Sequence, residues 1–250
     1  MSSSSERRIL IALDAYSATE PGLATLVSIA RRLNASLTGL YIEDRQLMSV
    51  AELPFSTEIN YLSAEERELE PAELMRLNKI ASTRARRLLE KLSTQDKLSW
   101  TFSEESGELA ICALSHQGCD IFFPGRIRPY RKLQQPSPHP HQQLALIYHC
   151  EVEFERMLEV VRLLSVNGMV TDVTIVSETP LPPEIAGKLP VQGIRLHFQL
   201  VHSTHPQQLQ YLKLPGSSLV LMSKSALSGL TERQLAELPE QLCYPLMLVD

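Results

Sequence analysis

The chain has 250 residues, 44% apolar and 21% charged, a balance that suits one large or two small soluble domains and excludes disordered and collagen-like chains. Its formal net charge of −5 repels phosphate backbones and anionic membrane surfaces, so neither nucleic acid nor membrane is an expected partner. The four cysteines form no C-x-x-C pair, no stretch is long and apolar enough to span a bilayer, and "MSSSSERR" carries no apolar leader core. The expectation is a cytoplasmic protein whose residues 1–7 are a disordered, Ser-rich start.

"RILIAL" at 8–13 is a short apolar run of the kind buried on both faces of a parallel sheet. Leu23, Leu26, Val27, Ala30 and Leu33 then recur at helical spacing, and "ASLTGLYI" at 35–42 returns to a strand, which completes a right-handed βαβ unit. "ELPFSTEINYL" reads as a loop. Ser63-x-x-Glu66 has the capping-box pattern and predicts a helical region, and Pro71 begins a helix that runs to about residue 92. Further elements are a strand at 98–104, a helix at 107–118 closed by Gly118, and a strand at 119–125.

Residues 126–143 carry four prolines and no periodicity, so they read as a linker. Beyond them the order resumes: strand 144–149, helix 152–166, strands 172–177 and 194–201, helix 206–213, strand 218–223, helix 231–241 and strand 245–249. Thr231-x-x-Gln234 repeats the capping-box pattern. The two halves open with the same order of elements, so a duplication into units 8–125 and 144–250 is the simplest account. Only the second unit keeps a final helix and strand. The first unit's open sheet edge is therefore expected to be covered by the linker or paired in an oligomer.

"RRILIALDAYSATEPGLATLVSIARRLNASLTGLYIED" resembles the opening of the universal stress protein family: a strand ending in Asp, a Ser shortly after, a helix, and a strand closing before an acidic pair. "SGELAICALSHQGCDIFFPG" and "CYPLMLVD" resemble the family's later helix–strand segment and its final strand. The resemblance implies an α/β fold of two universal stress protein-like, adenine-nucleotide-alpha-hydrolase-like modules with mostly parallel sheets.

One class of the family binds ATP through Gly, two residues, Gly, nine residues, Gly, then Ser or Thr, whose backbone amides cradle phosphates. Gly125 matches the first glycine, but Arg128, Pro138 and His139 occupy the positions that follow. In the second half Ser223, Ala226 and Ala236 stand at the glycine positions and His149 stands at that of Asp14. As written, the phosphate cradle is absent.

Asp14 ends a strand where open α/β sheets place ligands, and the resemblance makes it and Ile42 the positions that would contact a nucleoside. The alternative for Asp14 is a turn role, accepting amide hydrogens ahead of the helix. Arg126, Arg128, Arg131 and Lys132 follow the strand closely and can serve as anion donors, or form a solvated basic patch in the linker. His139, His141, His149 and Cys150 lack metal-site spacing, and no G-x-S-x-G, P-loop, H-E-x-x-H or dinucleotide glycine turn is present.

The reading is thus a non-enzymatic stress-response protein acting as an interaction or regulatory module, with a homodimer or another protein as its partner. The alternative is a binder of a nucleotide or other small anion through Asp14, Ile42, Gly125, Arg126 and Arg128. No cofactor is firmly implied; ATP or another nucleotide stays open, and no metal is expected.

Overall fold

The apolar run of the first strand is buried on both faces, which requires a sheet with layers on either side. The computed structural model describes residues 7–15, 17–59, 63–125, 143–166, 168, 170–189, 193–206, 211–214, 218–241 and 244–250. In β1 (Arg7–Leu13), Ile9 to Leu13 are each at most 2% exposed. The chain continues through α1 (Glu20–Arg32), β2 (Ala35–Asp44), α2 (Arg45–Ala51), β3 (Thr57–Ile59), β4 (Glu66–Glu68), α3 (Pro71–Gln95), β5 (Trp100–Gly107), α4 (Leu109–Ser115) and β6 (Asp120–Phe123). The second half comprises β7 (Gln143–Ile147), α5 (Glu151–Ser165), β8 (Asp172–Ser177), α6 (Pro183–Ala186), β9 (Arg195–Leu200), β10 (Leu219–Ser223), α7 (Glu232–Gln241) and β11 (Leu246–Val249).

Nine strands form one sheet in the order β5-β2-β1-β6-β11-β10-β7-β8-β9. Every neighbouring pair is parallel except β6 and β11, which run antiparallel with Phe122 opposite Met247. Each half thus lays four parallel strands in the order third, second, first, fourth; the second half adds a fifth, β11, and the halves meet where β11 runs antiparallel to β6.

This junction corrects the expectation for the first unit's open edge. The last strand of the same chain, β11, pairs with β6 along that edge. Residues of β11 are 0–4% exposed, so the edge is closed by an apolar strand.

α1, α3, α5 and α6 pack on one face through Leu26, Ala85, Leu89, Phe154, Val161 and Ile185. α4 and α7 pack on the other through Ala110, Ala113 and Leu238. α3 approaches β2 closely because Gly39 has no side chain: a Cβ there would lie 2.7 Å from Leu89 Cδ2 and 2.8 Å from Phe102 Cδ2.

A buried carboxylate helps fix the junction. Asp120, 5% exposed, accepts from Arg7 Nε at 2.6 Å and from the Asp250 amide at 3.1 Å. Asp120→Ala leaves a three-quarters-buried guanidinium without its partner and is expected to cost about 2–3 kcal/mol, measured by chemical denaturation. Asp120→Asn, which keeps an acceptor, is expected to cost less.

At the far edge, Asp172 accepts from Thr171, Arg195 and His197. Burial opposes its charge, but these three donors outweigh it and hold the carboxyl below its ordinary value of 3.8. Because the folded value is depressed, this stabilisation is present above the unfolded value and is lost as pH falls through the folded one. The thermal midpoint is therefore expected to drop below about pH 4, and Asp172→Asn to flatten that acid limb.

Several boundaries differ from the sequence reading. Arg7 belongs to β1 rather than to a disordered start, and α4 ends at Ser115 with His116, not Gly118, at its cap. "ELPFSTEINYL" is not all loop and Ser63-x-x-Glu66 does not open a helix: β3 and β4 form an antiparallel hairpin. Glu66 accepts from Thr57 across the strands at 2.8 Å and Arg67 pairs with Glu58, so these side chains serve the hairpin instead of a cap. The second capping box is formed, with the Gln234 amide donating to Thr231 Oγ1 and the Thr231 amide donating to Gln234 Oε1. The linker at 126–142 and the core of the helix expected at 206–213 lie outside the described residues. No helix among those described is long and apolar enough to cross a membrane.

Candidate functional site

Strand order places a topological switch between β1 and β6, where crossovers leave β1 on opposite sides and open a crevice at the strands' C-terminal ends. Leu13 pairs with Tyr41 and Ile11 with Phe122. Continuing these registers beyond the strand ends sets Asp14 level with Ile42 on one side and Gly125 on the other. Three of the five candidate residues therefore share one end of three adjacent strands. Arg126 and Arg128 lie outside the described residues.

The chemistry at this end is largely local. Asp14 is 7% exposed, and its Oδ1 accepts from the Ser17 amide at 2.7 Å while its own amide donates to Ser17 Oγ at 2.9 Å. This reciprocal pair fixes the turn that leads into α1, whose N-cap Thr19 makes no side-chain cap bond. Sequence reasoning names this Ser only as part of the resemblance and gives it no role, although an Asp and a Ser three residues apart after a strand carry the signal. Ile42 is 3% exposed and packs with Leu40, Ala110 and Leu10 in the α4-side core.

Gly125 adopts φ +77°, and a Cβ there would lie 3.2 Å from Pro245 N and 3.2 Å from Tyr244 C. Its lack of a side chain lets the end of β6 pass the backbone entering β11. Tyr244, 5% exposed, anchors that entry: its one hydroxyl proton is shared between the carbonyls of Leu212 and Leu214, and its oxygen accepts from the Leu214 amide. The glycine that matches the phosphate motif by sequence has a packing role of its own.

The second half has the corresponding switch between β7 and β10. Because β6 and β11 are antiparallel, its crevice opens at the opposite end of the sheet. Leu146 pairs with Leu221 and Ile147 with Val176, which carries His149 level with Lys224 and Glu178. Lys224, not Ser223, is thus the neighbour of His149. Lys224 reaches the Asp250 carboxylate and the His116 carbonyl, each at 3.5 Å.

Glu153, in the first turn of α5, stands beside this switch. Burial works against its charge, yet the hydroxyls of Ser225 and Ser223, with the Cys150 thiol and His149, outweigh it and hold the carboxyl below its usual range, although Oε2 itself finds no donor. A carboxylate held charged at this switch opposes an anionic ligand there. Beside it lies a cleft of about 370 Å³ lined by Tyr148, His149, Glu178, Ser203, Thr204 and His205. The Thr204 amide and hydroxyl donate to Glu178 at 2.6 and 2.8 Å and keep that carboxyl below its usual range.

No family model and no curated protein matches the sequence. Among solved structures, the chain is similar to a universal stress protein from Archaeoglobus fulgidus DSM 4304, with a TM-score of 0.51 and 9% identity over 97% of this chain and 96% of that one. A protein of the universal stress protein family from Burkholderia pseudomallei aligns over 80% of this chain and 98% of its own, at a TM-score of 0.27 and 12% identity. The first of these establishes the fold: a mixed α/β architecture around a mostly parallel sheet, as in universal stress proteins.

Proposed function

We propose that the chain is a tandem universal stress protein-like protein that acts in the cytoplasm, in the stress response, as a non-catalytic interaction or regulatory module whose family-type ATP site has been lost. The supporting observation is that both residues of the first-half motif have structural employment: Asp14 closes a turn with Ser17, and Gly125 clears the backbone at Tyr244 and Pro245. The sequence supplies no further glycine of the phosphate pattern. In the second half, Glu153 supports the same reading by opposing phosphate at the equivalent switch.

A second reading is favoured by one observation: Asp14, Ile42 and Gly125 share one level at the β1–β6 switch, with Arg126 and Arg128 next in sequence. On that reading the first half holds a nucleotide or another small anion. Calorimetry with ATP, ADP, AMP and cyclic dinucleotides separates the two. The main reading predicts no heat of binding for any of them. Tight binding that is abolished by Asp14→Asn, which keeps an acceptor for the Ser17 amide and so preserves the turn, establishes the second.

A further inference from the structure

The sheet ends in two unlike edges. β5 carries Glu104 and Glu105, and Glu104 draws Lys79 and Ser82 toward it, so charge blunts that edge. β9, at the other end, reads Arg-Leu-His-Phe-Gln-Leu and carries no carboxylate or lysine. Its one full charge, Arg195, is tied to Asp172 at 2.8 Å. Among the described residues, no strand pairs with the outer side of β9.

The hydrogen-bond pattern says which backbone groups face outward. The Arg195 amide donates to the Thr171 carbonyl and the Val201 amide donates to the Ser177 carbonyl, both on the β8 side. In a parallel ladder alternate residues bond to the same neighbour, so Leu196, Phe198 and Leu200 direct their amides and carbonyls to the open edge. Their side chains also share a face. Leu196 packs on the α5-side core, whereas Phe198 and Leu200 continue that face into solvent at 59% and 63% exposure.

These outward residues are symmetric about Phe198, and we infer that β9 pairs antiparallel with β9 of a second copy of this chain, with Phe198 on the two-fold axis. In this register Phe198 bonds to Phe198 of the copy, and Leu196 bonds to Leu200 in both directions. Every outward backbone group of the three residues then finds a partner. Arg195 falls opposite Val201 and His197 opposite Gln199, so no like charges meet. A one-residue slip sets outward groups against the already bonded groups of Arg195 and His197 and separates the apolar side chains onto opposite faces.

The size of the contact sets its strength. Phe198, Leu200 and the strand backbone supply roughly 300–400 Å² per copy, below the approximately 800 Å² of a standard stable interface. The dimer is therefore weak and concentration-dependent. It stands independently of whether any nucleotide binds at the β1–β6 switch.

The test uses the full chain. Sedimentation velocity is expected to show a weight-average mass that rises with concentration in the unaltered protein and stays at the monomer value in Phe198→Lys, which sets two cations face to face on the axis. Since Phe198 is exposed, its thermal midpoint should be unchanged, which separates lost pairing from lost folding. With oxidised glutathione, Phe198→Cys is expected to give a disulfide-linked dimer faster than the unaltered protein or Ser103→Cys on the β5 edge, because bonded antiparallel partners sit about 5.5 Å apart at Cα, within disulfide reach. A constant monomer mass together with cross-linking of Phe198→Cys no faster than the controls overturns the proposal. So does self-association that Phe198→Lys leaves intact.

Discussion

A chain lacking residues 244–250 is expected to lose cooperative folding. That segment buries Tyr244, Leu246, Met247, Leu248 and Val249, each at most 5% exposed. At roughly 1.5–3 kcal/mol for each fully buried apolar side chain, their removal forfeits about 7–15 kcal/mol. This is the same size as the entire stability of a typical domain, about 5–15 kcal/mol. The loss does not stop at transfer energy. β6 and β10 both become open edges, and the Tyr244 hydroxyl no longer ties down Leu212 and Leu214. Two unpaired apolar strands side by side template aggregation. Circular dichroism melts should show no sharp transition, with the sample moving to large species on size exclusion. A cooperative melt close to that of the full chain contradicts the shared-strand architecture.

Gly125→Val is expected to destabilise by about 2–5 kcal/mol. Two costs add: about 1–2 kcal/mol for a side chain in the left-handed region and about 1–3 kcal/mol for overpacking against backbone that cannot rotate away. Gly193 separates them, because it has φ +76° but nothing within 4 Å of its missing Cβ. Gly193→Val should lose only the backbone part. For a chain of this length each kcal/mol lowers the melting midpoint by roughly 2–4 °C, so Gly125→Val should melt about 10 °C lower and Gly193→Val only a few degrees lower. Equal shifts for both variants mean that contact with Tyr244 and Pro245 is not what keeps a glycine at 125.

Much of the sheet is legible in the sequence because parallel strands buried on both faces are short apolar runs bounded by turn residues. Residues 172–177 are read with their observed bounds, and β1, β7, β10 and β11 to within two residues at each end. The β3–β4 hairpin is not legible, since "TEI" and "ERE" are three residues each and mostly exposed, with cross-strand pairs of Thr57–Glu66 and Glu58–Arg67 in place of apolar alternation. The antiparallel β6–β11 contact is invisible for a different reason. It joins residues more than a hundred positions apart, and no local pattern tells an apolar strand which neighbour it will take.

The site divides in the same way. That Asp14, Ile42 and Gly125 share one end of the sheet is what the resemblance implies, and the strand registers agree with it. The turn role of Asp14, accepting an amide hydrogen ahead of α1, is also legible, and the structure supplies Ser17 as the donor; that Gly125 faces Pro245 is not, because a residue suited to a close backbone passage is also suited to a ligand. His149 was matched to Asp14 by position, but its neighbour across the switch emerged only with the register, as Lys224.

On the proposed reading, this chain has a mostly parallel sheet of the kind seen in universal stress proteins but binds no nucleotide. Mass spectrometry under non-denaturing conditions, on protein purified without added nucleotide and again after incubation with ATP and magnesium, tests it most directly. The account predicts only masses of the bare chain and its weak dimer in both samples. An added mass equal to one adenine nucleotide per chain, present in the unaltered protein and absent in Asp14→Asn, would contradict it.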